Sequence, residues 1–247
     1  MKLIHKFKSP SFNKRKAKHI KYIVIHYTAL KDINESINYL CNPLNKVSAH
    51  FLISKVGEIY NLVDLNQRAW HAGYSYWNGD IDINSLSIGI ELDYFPSQKN
   101  KFSNKMINSL NDLLLKLMKK YKISYDNILG HSDIAPYRKV DPGKKFPWHK
   151  LIHKNNLTTN TKKNKFLNKT LIIKWLNKNI KTKKRSAIFM LAYIGYNVQP
   201  SVDSNKDFKI LISAYQMRYN QINITGKVDE RTFNLIINHF INKILNF

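Results

Sequence analysis

Three side chains in this 247-residue sequence have types and settings suited to holding a divalent metal: His26, His131 and Asp141. His26 sits near the end of an apolar run, His19 to Thr28 (HIKYIVIHYT). His131 follows a second short apolar run, within Gly130-His131-Ser132-Asp133. Asp141 comes ten residues later in Arg138-Lys139-Val140-Asp141-Pro142-Gly143, where Pro142-Gly143 marks a turn. Each histidine alone is weak evidence, because most histidines in folded domains are structural or on the surface. Together, two imidazoles and one carboxylate suit Zn²⁺, and three protein ligands leave the fourth tetrahedral position for water.

Such a set works only if secondary structure delivers it to one place. The run ending near His26 is β-branched and aromatic, and it reads as a buried strand. Ile33 to Leu40 reads as a short helix. Ala49 to Ser54 and Glu58 to Val63 read as strands around the hairpin signal Lys55-Val56-Gly57. Ser87 to Leu92 (SIGIEL) and Asn127 to Gly130 are further strands. Met106, Ile107, Leu110, Leu113, Leu114, Leu117, Met118 and Tyr121 recur at helical spacing behind a capping Ser103. These elements predict an α/β domain over residues 10–152, with a mixed central sheet flanked by helices. Residues 153–169 are polar and basic without period and read as a linker. Residues 170–247 carry only helical patterns, with Gly195 as a stop and Asp229 as a cap. A small all-α three-helix domain is expected there.

The chain has 41 Lys and Arg against 16 Asp and Glu, a net charge of +25, and no acidic residue from Pro142 to Val202. That surplus has three readings: a nucleic-acid binder, a binder of acidic polymers or surfaces, or a compositional bias that also over-uses Asn and Ile. The basic residues are not interleaved with aromatics on a known binding motif, so no specific nucleic-acid partner is expected. A single cysteine, Cys41, excludes an intramolecular disulfide framework. No apolar run approaches 18 residues, so no transmembrane segment is expected. The N-terminal residues lack the apolar core of a signal peptide, which favours the cytoplasm, with the periplasm or envelope as the alternative.

Six blocks occur in order: VIHYTA (24–29), VSAHFLI (47–53), AWHAG (69–73), SIGIELD (87–93), GHSDIAP (130–136) and RKVDPG (138–143). In them the chain resembles the zinc-dependent N-acetylmuramoyl-L-alanine amidases of the AmpD/AmiD type, whose fold is shared with peptidoglycan recognition proteins. The C-terminal part resembles a three-helix peptidoglycan-binding domain through Leu191 to Tyr196, Ala214-Tyr215-Gln216 with Arg218, and Thr225 to Thr232. The resemblance implies hydrolysis of the amide between N-acetylmuramic acid, in ordinary or anhydro form, and L-alanine of the stem peptide. Peptidoglycan or muropeptide fragments are the implied partners, and a monomer is expected. A non-catalytic peptidoglycan recognition protein and a phage-type lytic amidase are the alternatives. The C-terminal domain would hold the enzyme on peptidoglycan, so removal of residues 160–247 is expected to spare cleavage of soluble fragments.

The resemblance also implies roles. His26, His131 and Asp141 would hold Zn²⁺. Glu91 would be the catalytic carboxylate, its proton affinity raised by burial, on a strand face shared with Gly89 and Ser87 that offers a cleft little bulk. Lys139, two residues before Asp141, would stabilise the oxyanion. His50 has the spacing of a fourth ligand, but a closed site would leave no place for water, and it is expected to orient or line the cleft. Trp70 and His71, in an exposed-loop signal, would contact sugar or stem peptide. Tyr27 is a candidate supporting group beside the first ligand, and Arg138 a substrate contact. Tyr137 departs from the family pattern, which has a small residue there, and would narrow the cleft.

Overall fold

The computed structural model describes residues 2–151, 169–180 and 182–245. They fall into two compact units. The first comprises residues 2–75, 81–131 and 141–151; the second comprises 76–80, 132–140, 169–180 and 182–245. Residues 153–168 of the expected linker lie outside the described residues.

The apolar run before His26 forms β3 (Tyr22–Tyr27), which is buried except at its last residue. A strand enclosed on both faces reads as a continuous apolar run, which is why its sequence lacks alternation. It is one of six strands, with β1 (Leu3–Ile4), β4 (Phe51–Ile53), β5 (Ile59–Asn61), β7 (Ser87–Leu92) and β8 (Ile128–Gly130). Their order is β1-β5-β4-β7-β3-β8. All neighbours are parallel except β4 and β5, the expected hairpin. The sheet therefore begins at Leu3, before the expected start of the domain. A second, two-stranded antiparallel ribbon pairs β2 (Phe12–Lys14) with β6 (Gln67–Ala69).

One face of the sheet is closed by the long helix α3 (Asn104–Tyr121), capped by the Ser103 side chain, which accepts from the Met106 N–H at 3.1 Å. Its stripe of Met106, Ile107, Leu110, Leu113, Leu114 and Leu117 packs with Ile23, Ile25, Phe51, Ile53, Ile88 and Ile90. Each such side chain contributes about 1.5–3 kcal/mol on burial. The strand period of two then puts Val24 and His26 on the opposite face of β3. On that face α1 (Ile33–Cys41) covers one end, where Ile37 and Leu40 cluster with Leu52, Tyr60 and Leu62. The remaining helices of this unit are short: α2 (Ile83–Leu86), and α4 (His131–Ile134), whose first residue alone belongs here.

The second unit holds α5 (Lys169–Asn179), α6 (Lys183–Ile194), α7 (Gln199–Asp203), α8 (Asn205–Tyr219) and α9 (Glu230–Leu245). The three expected helices are α6, α8 and α9; α5 and α7 add to them. Gly195 ends α6, and the Asp229 carboxylate accepts from the Thr232 N–H at 2.7 Å at the start of α9, both as expected. Among the described residues no helix is long and apolar enough to cross a membrane.

Leu114 is fully buried between α3 and the sheet. Leu114→Ala is expected to lower stability by about 2–5 kcal/mol, read by denaturant unfolding.

Candidate metal centre

His26, His131 and Asp141 converge. His26 Nδ1 lies 3.0 Å from His131 Nδ1 and 3.0 Å from Asp141 Oδ2, and His131 Nδ1 lies 3.1 Å from the same oxygen. His26 is 1% exposed, His131 3% and Asp141 8%, so water does little to screen them. The edges of this triangle approach the ~3.3 Å separation that tetrahedral ligands at about 2.0 Å require. β3 delivers His26. The neighbouring strand β8 ends at Gly130 and passes straight into His131 at the first turn of α4. These three form a group able to hold a metal ion.

The outer nitrogens of the two rings determine what the inner ones present. His131 Nε2 lies 3.1 Å from the Ala72 carbonyl, an acceptor only, so that nitrogen carries the proton and donates. His26 Nε2 lies 3.0 Å from His71 Nδ1. His71 Nε2 in turn lies 3.1 Å from Ser87 Oγ, whose hydroxyl donates to the Ile83 carbonyl at 2.5 Å. With its hydrogen committed to that carbonyl, Ser87 Oγ accepts from His71 Nε2–H. His71 Nδ1 is then bare and accepts from His26 Nε2–H. Both Nδ1 atoms are thereby left as lone pairs pointing at one spot beside a carboxylate, the arrangement a metal needs.

The electrostatics agree. Burial, then the neighbouring His26, His50, His131 and Arg15, pushes the His71 pKa well below the ordinary value, so the ring stays neutral and can accept. Burial alone would raise the Asp141 pKa, but in the metal-free chain His131 and His26 override it by donating to the carboxylate when a ring also carries hydrogen on Nδ1, and hold the carboxyl well below the usual range; that hydrogen would leave as a metal took the lone pair. Tyr27, half-buried beside them, is shifted up by burial and by Asp141, Tyr94 and Glu91. Its ring lies 5.8 Å from that of Tyr94.

Two expectations are corrected. His71 is not on an exposed loop: it is 5% exposed, enclosed against β7, with no free ring face for a sugar. The small residues Ser87 and Gly89 do not leave open cleft. They make the seat for this ring, and a Cβ on Gly89 would stand 2.4 Å from His71 Cγ. His50 does not line a cleft. It is fully buried, its Nδ1 accepts from the Gly89 N–H at 3.0 Å, and the Arg15 guanidinium stands 2.8 Å from its Nε2. Burial and then Arg15 press its pKa down to about 3.

Glu91 is the register partner of His26 in the parallel β3–β7 pair, so both side chains rise from the same face on adjacent strands. It is 8% exposed, so the carboxylate is buried as expected. Trp70 is half-buried, with its indole N–H donating to Asn13 Oδ1. Lys139, half-buried, and Arg138, exposed, follow a turn in which both N–H groups donate to the Ala135 carbonyl. Their segment, 132–140, groups with the helical unit. Supports invisible from sequence are Ser87, the Ala72 carbonyl and Asn84. Asn84 Oδ1 accepts from the His71 and Ala72 N–H groups at 3.0 and 2.7 Å and so holds their loop. The absence of bulk at 87 and 89 was the only available signal.

A sheet presenting two histidines and an aspartate in one cluster marks the class as an α/β fold with a candidate metal site, and comparison with known proteins narrows it. Residues 16–144 match the family model described as N-acetylmuramoyl-L-alanine amidase. The chain is 32% identical over 228 residues to N-acetylmuramoyl-L-alanine amidase AmiD of Escherichia coli, covering 86% of this chain and 79% of that one. It is 37% identical over 163 residues to 1,6-anhydro-N-acetylmuramyl-L-alanine amidase AmpD of Haemophilus influenzae, covering 58% and 88%. The solved E. coli AmiD, in complex with the substrate anhydro-N-acetylmuramic acid-L-Ala-D-gamma-Glu-L-Lys, superposes with a TM-score of 0.72 at 29% identity over 92% of this chain and 91% of that one. The chain belongs to the N-acetylmuramoyl-L-alanine amidase family and hydrolyses the amide between N-acetylmuramic acid and L-alanine of peptidoglycan.

Gly89→Ala is expected to cost about 1–3 kcal/mol by forcing the His71 ring from its seat, read by thermal unfolding. A second expectation concerns acid. The unfolded chain protonates His50 near 6.5, whereas the folded chain does so only near 3. The unfolded state thus binds more protons in that window, and stability falls as pH drops from about 6.5 towards 3. Urea midpoints of the metal-free chain across that range check this, with a shallower slope in His50→Asn.

Proposed function

We propose that this amidase works with Zn²⁺ held by His26, His131 and Asp141, and that Glu91 is its general base and acid. The observation that supports the metal reading most directly is the pair of Nδ1 atoms, 3.0 Å apart and each within 3.1 Å of Asp141 Oδ2. Two neutral imidazoles and one ionised carboxylate are a borderline-soft donor set that suits Zn²⁺. When bound, the ion supplies a Lewis acid for the amide carbonyl and lowers the pKa of water from 15.7 to about 7.

The chain's own groups do the rest. Glu91 takes a proton from the attacking water as its oxygen joins the carbonyl carbon. It returns that proton to the alanine nitrogen as the C–N bond breaks, so the carboxylate ends as it began. Lys139 offsets the negative charge that develops on the carbonyl oxygen. Asp141 and the chain from His26 through His71 to Ser87 keep the donor set ionised and correctly protonated throughout. Trp70, Tyr27 and Arg138 are proposed to contact the muropeptide. The substrate is proposed to be a peptidoglycan fragment with a stem peptide, with the anhydro form included, since the E. coli relative was solved with such a compound. Residues 170–247 are proposed to add affinity for peptidoglycan, joined through residues 153–169, and their cationic excess favours carboxylate-bearing partners.

The test uses an anhydromuropeptide, with stem-peptide release followed by mass spectrometry. Chelation is expected to stop release and one equivalent of zinc to restore it. A chain that binds no zinc and still cleaves overturns the metal reading. Glu91→Gln is expected to keep zinc at wild-type stoichiometry while kcat drops by about 10²–10⁴-fold. Full activity in that variant removes Glu91 from the role.

A further inference from the structure

Residues 132–140 join two residues of the metal centre, His131 and Asp141, yet they pack within the helical unit. The strongest tie is Asp133, which is 0% exposed. Its Oδ2 accepts from Arg218 Nη1 of α8 at 2.6 Å, and its Oδ1 accepts from the Tyr196 hydroxyl at 2.7 Å. The side chains of this ion pair are 5% and 1% exposed, so neither charge has water as an alternative partner. Tyr137, the bulky departure from the family pattern, gives a second tie. Its hydroxyl lies 2.8 Å from the Asn197 carbonyl, just before α7, and 2.8 Å from Ser201 Oγ within it. The ring thus serves as an anchor within the helical unit.

A second segment behaves in the same way. Residues 76–80 follow directly on 71–75, the loop whose His71 and Ala72 carbonyl set the rings of His26 and His131. The Tyr76 N–H donates to the Ile134 carbonyl and the Asn78 N–H to the Gly195 carbonyl, each at 2.8 Å. Trp77 packs edge-on against Tyr196, with ring centroids 4.9 Å apart. It also lies flush on Gly195, where φ is +133° and an added Cβ would stand 3.0 Å from the indole. Position 195 therefore requires glycine both for its backbone and for this contact.

We propose that the helical unit positions the metal centre along the chain. In this role Arg218, Tyr196 and Tyr137 hold segment 132–140 so that His131 and Asp141 converge, and Trp77 steadies the loop that carries His71 and Ala72. These are positioning residues, acting through the segments they hold. The inference rests on the reading of His26, His131 and Asp141 as metal ligands. It also changes the expectation from sequence that the C-terminal residues are dispensable for cleavage of soluble fragments, because their loss would free both segments.

The test measures zinc affinity of the full-length, metal-free chain against a chromophoric chelator, at a temperature where circular dichroism shows each variant folded. Arg218→Met is expected to raise the zinc Kd about tenfold, at the low end of what outer partners of metal ligands contribute. Arg218→Lys keeps the charge and is expected to recover most of that affinity. Tyr196→Phe and Tyr137→Phe, which each lose one hydroxyl, are expected to raise Kd about threefold, and they carry the test if Arg218→Met does not fold. Gln216→Ala is the control. It removes hydrogen bonds to Thr232 and to the Thr225 and Gly226 N–H groups within the same helical unit, away from segment 132–140, and should leave Kd within about twofold. Wild-type affinity in Arg218→Met and both Phe variants overturns the proposal, as does an equal loss in Gln216→Ala. A parent chain that binds no zinc removes the metal reading itself, a result distinct from either.

Discussion

Two imidazole nitrogens and a carboxylate oxygen within 3.1 Å of one another, nearly shut off from water, form an arrangement that needs a definite proton distribution. Had either ring carried its hydrogen on Nδ1, the lone pair would be lost and the centre could take no metal. The proton is held on the outer nitrogen by an acceptor, the Ala72 carbonyl for one ring and His71 for the other. His71 can accept only because it is neutral and passes its own hydrogen to Ser87, which passes its hydrogen to the Ile83 carbonyl. The chain of donors ends on a backbone oxygen, and that terminus gives every member its direction.

This requirement explains much of the surrounding sheet. One face of β3 and β7 is filled with Ile and Leu against α3, where packing supplies stability. The other face carries Val24, His26, Ser87, Gly89 and Glu91. At Ser87 and Gly89 side-chain volume is given up so that a buried imidazole can lie on the strand. The same alternation raises Glu91 beside His26, which puts a carboxylate on the strand next to the His-Asp cluster without any loop having to bring it. A parallel pairing in this register is therefore both the core of the domain and the frame of its chemistry.

The histidine that begins α4 and the aspartate ten residues on are also joined by chain that packs elsewhere. Asp133, the second residue after His131, is satisfied by an arginine and a tyrosine from the C-terminal helices. A buried carboxylate without those donors would be costly, so the C-terminal helices and the segment between His131 and Asp141 are bound to one another energetically.

The elements were legible wherever one local pattern decided them. The α3 stripe, the Ser103 and Asp229 caps, the β4–β5 hairpin and the run before His26 each depend on residues a few positions apart. The cluster of His26, His131 and Asp141 was legible as chemistry, because two histidines and an aspartate end or follow apolar runs, and the family blocks named them in order. The short pairings of β1, β2 and β6 were not, since two or three residues carry no periodicity. The place of His71 was misread for a physical reason: a Trp-His-Ala-Gly stretch has the composition of an exposed turn, while burial depends on what the sheet leaves vacant. The same holds for Tyr137 and Asp133, whose partners lie 60 to 85 positions away. The sequence by itself determined the donor types, the strands and helices that present them, and the family. Only the tertiary structure decided which ring nitrogens converge on Asp141, that His50 and His71 are buried, and which helices Asp133 and Tyr137 contact, because each of these is a contact between residues that no local pattern relates.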